Sequence, residues 1–205
     1  AGDICLEEDG FVLDHYDEVG QSVSDETMTV KNILQEGNTV KASYYAKIVT
    51  TKAKNNTSYT LFNWSYDGKN TVCTEDLMYG PYIASDSDPD KYDEVARMKM
   101  LDDRKFKGDN SFTIKDSAQG GETIPDRSYQ LILNMLKNEV NISGAAYMGE
   151  EQVHTRAGKF DCIKISYLMR TKIVLKSKTL RVTEWYAKGV GLVKSEAYDT
   201  KGKLD

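Results

Sequence analysis

The segments V-H-T-R-A-G-K-F-D-C-I-K-I-S-Y (Val153–Tyr167) and T-E-W-Y-A-K-G-V-G-L-V-K-S-E-A-Y-D-T-K-G-K-L (Thr183–Leu204), joined by a Lys-rich middle, decide the fold. Short runs of alternating apolar and polar residues are cut by turn formers at Ala157-Gly158-Lys159, Gly189-Val190-Gly191 and Asp199–Gly202. A period of two puts one face of each run on a core, and turns at this spacing join antiparallel neighbours. Phe160–Met169, Thr171–Leu175, Thr179–Tyr186 and Leu192–Tyr198 are therefore expected as successive strands.

The same pattern runs back towards the start. Phe11–Tyr16 and Met28–Leu34 read as strands, with Glu36-Gly37-Asn38 as the turn that follows. Val40, Ala42, Tyr44, Ala46 and Ile48 then alternate with Lys41, Ser43, Tyr45 and Lys47, the clearest strand in the chain. Thr60–Tyr66 places Phe62, Trp64 and Tyr66 on one face, and Asp67-Gly68 is a strong hairpin signal that folds Lys69–Thr74 back onto it. Lys107-Gly108-Asp109-Asn110, inside Phe106–Ile114, reads as another hairpin tip. Glu139–Tyr147 and Glu150–Thr155 continue as strands, with Gly144 a bulge.

Other parts are less regular. Asn55-Asn56 signals a turn, Ser85–Asp90 an acidic loop, and Tyr92–Leu101 fits a short helix and a strand nearly equally. Ser117–Asp126 is loop, because Pro125 cannot serve a central strand. Gln130–Val140 leaves two readings open: Leu131, Ile132, Met135, Leu136 and Val140 line a helix face, while Leu131, Leu133 and Met135 alternate along a strand. Ten or more short strands point to an all-β protein with at most one or two short helices, residues 1–205 forming one mainly-β domain.

Composition bounds the function. A chain of 205 residues buries roughly 70% of its unfolded surface in one domain and needs no disulfide framework. Tyr dominates the aromatics, 13 against 5 Phe and 2 Trp, which suits half-buried sheet faces where the ring packs and the hydroxyl stays wet. A net charge of −5 gives no general reason to bind nucleic acid. The charge is asymmetric: the first thirty residues hold nine acids and no Lys or Arg, whereas from Arg156 onward twelve Lys/Arg face five acids. Solvated strand faces, with the acidic start against the basic end, explain this simply; the sharper alternative is a basic face at Lys172, Lys176 and Lys178 for an anionic glycan or lipid headgroup. Three cysteines, Cys5, Cys73 and Cys162, exclude a fully paired intrachain framework, and their pairing stays open. No apolar run approaches the ~18 residues of a transmembrane helix. The chain starts Ala-Gly-Asp without an initiator Met, as a mature or trimmed protein does, so a missing leader is no argument for the cytoplasm.

Catalytic and metal constellations are not found in the sequence. There is no G-x-S-x-G, and His15 and His154 are the only imidazoles. A Cys162–His154 dyad is disfavoured, because Cys162 lies in a strand pattern where a buried, inert thiol is the ordinary outcome. Zinc spacings are missing. Asp86-x-Asp88-x-Asp90 imitates a calcium loop, but Lys91 stands where the turn Gly belongs and Arg97 where the bidentate Glu belongs. No catalytic residue, metal ligand or cofactor site is therefore expected. Glu184 and Glu196 keep one enzymatic alternative open, a carbohydrate-active cleft with paired carboxylates. The better candidate is an aromatic ligand-binding face built from Trp64, Tyr66, Trp185 and Tyr186, offered to a lipid, a glycan or a partner's peptide.

The motif W-Y-A-K-G-V-G-L-V-K-S-E-x-Y-D-x-K-G-K-L (Trp185–Leu204), after V-x-T-x-A-G-K-F-D-C (Val153–Cys162), resembles the TapB-like secreted or periplasmic proteins of gut Bacteroidetes, a family of unknown function. The opening D-I-C-L-E-E-D-G-F-V-L (Asp3–Leu13), Cys73 and G-E-T-I-P-D (Gly121–Asp126) fit the same resemblance; Arg156 and Ile124 depart from it. The resemblance implies a protein that carried a signal peptide and resides in the periplasm or outside the cell. It also implies a single curved antiparallel sheet or incomplete β-barrel, lipocalin-like or lipoprotein-carrier-like, and it favours strand for Gln130–Val140. It transfers no activity. Taken together, the expectation is a non-enzymatic envelope protein, peripheral at most to a membrane, that binds an apolar or amphipathic ligand or a partner peptide on its aromatic face. A structural or assembly module of the envelope is the alternative.

Overall fold

The computed structural model of the chain describes residues 2–7, 10–16, 19, 21–50, 57–74, 105–133 and 136–204. Among them are thirteen strands and no helix: β1 (Gly2–Glu7), β2 (Gly10–Tyr16), β3 (Ser22–Glu36), β4 (Thr39–Thr50), β5 (Thr57–Tyr66), β6 (Asn70–Thr74), β7 (Lys105–Gly108), β8 (Ser111–Lys115), β9 (Arg127–Leu133), β10 (Leu136–Thr155), β11 (Gly158–Ile173), β12 (Lys176–Ala187) and β13 (Gly191–Asp199). They form one antiparallel ladder in the order β7-β9-β10-β11-β12-β13-β1-β2-β3-β4-β5-β6-β8. The expected turn at Asn55-Asn56, the acidic loop at Ser85–Asp90 and the Tyr92–Leu101 segment lie outside the described residues.

Alternation explains the central strands. Ile165, Tyr167 and Met169 of β11 stand opposite Glu184, Val182 and Leu180 of β12, and all six are buried on one face. The described residues of Gln130–Val140, 130–133 in β9 and 136–140 in β10, are strand. β10 runs for 20 residues where the sequence suggested two pieces, because two bulges absorb its irregularities without ending the pairing. One of them is at Gly144, whose φ of 61° suits a residue without a Cβ. β9 covers β10 only up to Ile142. Beyond that the Gly121–Asp126 loop takes over: Ile124 N–H donates to Ala145 O, Gly121 N–H to Tyr147 O and Tyr147 N–H to Glu122 O. The loop thus satisfies an edge that would otherwise stand open.

The Asp67-Gly68 turn joins β5 to β6, with the Asp67 carboxylate accepting the Lys69 and Asn70 amides. The second expected hairpin, at Lys107-Gly108-Asp109-Asn110, does not form. β7 pairs with β9 and β8 pairs with β6, so these consecutive strands occupy opposite ends of the ladder. Gly108 at φ 103° turns the chain where a Cβ would strike Ser128 O, and Asp109 donates its amide to Ser128 O while its carboxylate accepts Ser111 N–H. The chain is thereby sent from one edge to the other.

Because two residues join the first and last strands of the order, the ladder must curl until its edges are neighbours. It does not close, since β7 and β8 share no pairing. The result is an incomplete barrel in which β5, β6 and β8 lie over β9–β12. Cys73 of β6 and Ile114 of β8 pack with Tyr129, Ile142, Tyr147 and Val182, and the Tyr147 hydroxyl accepts the Lys115 amide and donates to Thr113 O. The acidic start does meet the basic end at one point: Arg156, in the β10–β11 turn, bridges the buried Asp14 at 2.9 Å and donates to the Tyr16 hydroxyl at 3.1 Å.

Candidate functional site

A cleft of about 530 Å³ lies between β4–β5 and the β12–β13 turn, a size typical of small-molecule pockets. Its first wall follows from register: Val40 stands opposite Tyr66 and Ala42 opposite Trp64, so the alternation along β4 and β5 sends these four side chains to one face. The opposite wall is Cys162, Ile163, Tyr186 and Ala187, with Ile114 at the base. Trp64 and Tyr186 meet across it, ring centroids 6.4 Å apart and tilted by 51°, and Phe112 packs edge-on behind Tyr186 at 6.1 Å.

The close approach depends on Gly191. A Cβ there would lie 2.6 Å from Cζ3 of Trp64, and the φ of 100° suits glycine alone. Sequence reasoning placed Gly191 in a turn but missed this second role; the Gly-x-Gly doublet beside an aromatic pair is the signal that could have found it.

Polar groups gather on one rim. Tyr66 O–H donates to Asp116 at 2.6 Å, and Lys188 Nζ approaches the same carboxylate oxygen at 3.1 Å. The hydrogen bond to Asp116 raises the Tyr66 phenol above its ordinary range, and the same carboxylate raises the Lys188 ammonium. Asp161 and Glu150 add two more acids to the rim. Deeper in, Tyr186 O–H donates to the buried Glu184 at 2.9 Å; burial, then the Glu184 charge, push its pKa well above the phenol range. Burial, then the charges of Asp161 and Glu151, push the Cys162 thiol to about 11. Cys73 and Cys162 are thiols in two separate clusters.

The four aromatic candidates are not all brought to one place. Trp64, Tyr66 and Tyr186 line the cleft; Trp185 does not. Neighbours on a strand point to opposite faces, so Trp185 turns into a second cluster with Met28, Cys162 and Val193. Lys164 and Lys194 cap its ring at 5.1 and 4.6 Å. The two carboxylates of the enzymatic alternative are also separated. Glu196 stands opposite Thr183, so Glu184 faces the other side of the sheet. Glu196 is engaged by Lys194 at 2.6 Å and by the Tyr198 hydroxyl at 3.1 Å.

A family model described as DUF3108-like matches residues 9–205. Two solved structures share the fold. One, described as an exported protein with a YmcC-like fold from Bacteroides fragilis, is 18% identical and superposes with a TM-score of 0.69 over 100% of this chain and 95% of that one. The other, described as a lipoprotein from Parabacteroides distasonis, is 15% identical, with a TM-score of 0.72 over 96% and 91%. No curated protein matches the chain.

Proposed function

The chain belongs to the DUF3108-like family, and from that premise we propose that it is a non-enzymatic cell-envelope protein holding one amphipathic molecule in the cleft between Trp64 and Tyr186. The descriptions of the two structural neighbours, one exported and one a lipoprotein, support a periplasmic or extracellular location reached by signal-peptide removal. The Trp185–Leu204 motif supports a place beside the TapB-like proteins within the family. The observation that carries the binding reading is the asymmetry of the cleft: aromatic and aliphatic walls, with charge confined to the rim at Tyr66, Asp116 and Lys188. Such a site selects an apolar body and orients it by one polar end. Asp116, Asp161 and Glu150 outnumber Lys188, so the polar end is neutral or cationic.

Titration with the uncharged fluorophore N-phenyl-1-naphthylamine tests this. The expected result is saturable uptake by the wild-type protein, lost in Ala42→Trp, where the added indole fills the cleft while the circular-dichroism spectrum is retained. No uptake by the wild type, or equal uptake by both proteins, sinks the proposal.

A further inference from the structure

The hairpin joining β11 to β12 ends in an apolar tip exposed to solvent: Ile173 is 46% exposed, Val174 58% and Leu175 94%. Val174 has a φ of 54° and is the one non-glycine residue at positive φ among those described. Two-residue hairpin turns with positive φ at their first position alone ordinarily place Gly there, whereas a β-branched residue is strained. The chain thus accepts strain in order to present three aliphatic side chains where no core requires them. A ring of cations surrounds them. Register puts Lys176 and Lys178 on one face of the hairpin and Arg170 and Lys172 on the other, all exposed. The acids in reach are Glu139, opposite Lys172 and bridged by Lys137 at 2.8 Å, and Asp199, whose carboxylate feels Lys178. Five cations against two acids leave the tip positive.

We propose that this tip is a docking element for an anionic phospholipid bilayer, with Ile173, Val174 and Leu175 entering the interface and the surrounding Lys and Arg side chains pairing with headgroup phosphates. An apolar point with a basic collar on both faces matches the layered chemistry of such a surface, hydrocarbon beneath phosphate. The site is separate from the cleft. Tyr186 lies ten residues along β12 from Lys176, about 33 Å at ~3.3 Å per residue.

Cosedimentation of the full chain with vesicles tests the proposal, using phosphatidylcholine alone and phosphatidylcholine with one quarter phosphatidylglycerol. The wild type is expected to pellet with the anionic vesicles and to be released by high salt. The paired change Val174→Gly with Leu175→Asn relieves the strain at the positive-φ position, so the protein stays folded and at least as stable, yet its partitioning should fall about tenfold or more. Lys172→Gln, Lys176→Gln and Lys178→Gln together should weaken partitioning and remove its salt dependence. N-phenyl-1-naphthylamine uptake in the cleft should be unchanged in both variants. Absence of wild-type binding, equal binding to neutral vesicles, or full binding by the Val174→Gly, Leu175→Asn variant overturns the assignment.

Discussion

Replacing Gly191 by alanine tests whether the cleft is shaped by backbone geometry. Two costs arise, and they are separable. The first is conformational: an L-residue at the φ of 100° carries strain of about 1–3 kcal/mol. The second is steric, because the new Cβ would sit 2.6 Å from Cζ3 and 3.0 Å from Cη2 of Trp64; displacing a packed ring costs about 1–3 kcal/mol. Together the loss should be about 2–6 kcal/mol, which for a chain of this size lowers Tm by roughly 4–24 °C. Urea and thermal unfolding, followed by circular dichroism, measure it. A cycle with Trp64→Leu divides the two parts: with the indole gone, the steric part vanishes and the φ part remains. The expected coupling between the two substitutions is therefore the steric part, about 1–3 kcal/mol. A loss below about half a kcal/mol for Gly191→Ala alone, or zero coupling, would refute the reasoning.

Three other outcomes follow from the same geometry. Tyr186→Phe keeps the ring packed between Trp64 and Phe112 but takes one donor from the buried Glu184, so unfolding should cost about 1–3 kcal/mol less than in the wild type. Gly108→Ala places a Cβ 2.3 Å from Ser128 O at a φ of 103°, and a Tm decrease comparable to that of Gly191→Ala is expected in a thermal scan. Burial raises the Cys162 thiol from its ordinary value of 9.0 to about 11, so between these values the folded state keeps a proton that the unfolded state loses. Stability from this group is therefore intact below pH 9 and lost as pH rises towards 11. Urea midpoints across that window should fall in the wild type and fall less in Cys162→Val.

Much of the fold was legible because its signals are local. The strand over Val40–Ile48, the Asp67-Gly68 turn and the Gly144 bulge each depend on a few neighbouring residues, and each appears in the structure. The errors share the opposite cause. Lys107–Asn110 has hairpin chemistry, yet the same glycine at positive φ can send a chain across to a distant edge; only the contacts of Gly108 and Asp109 with Ser128, twenty residues on, decide which. β1 was missed because its partners are β2 and the remote β13. The alternation that groups Trp64 with Tyr66 also separates Trp185 from Tyr186; the sequence alone shows that these two neighbours face opposite sides, and only the packing across the sheet shows that Tyr186 is the one beside Trp64.

The β12 strand explains how one element can serve two surfaces. Its first three residues, Lys176, Ser177 and Lys178, are exposed on both faces; from Leu180 to Val182 burial alternates; from Glu184 to Ala187 every residue is buried. A strand buried on both faces is held by packing from each side, and that is where the cleft needs a fixed wall at Tyr186. A strand exposed on both faces is held chiefly by its ladder hydrogen bonds, which leaves the tip free of core constraints on its side chains. Moving the apolar triplet Ile173–Leu175 to the Tyr186 end would bury it, and moving Tyr186 to the tip would strip its ring of Trp64 and Phe112. The order of residues along β12 is thus fixed by what covers each end, and the two sites can be altered independently because about 33 Å of strand, at ~3.3 Å per residue, lies between them.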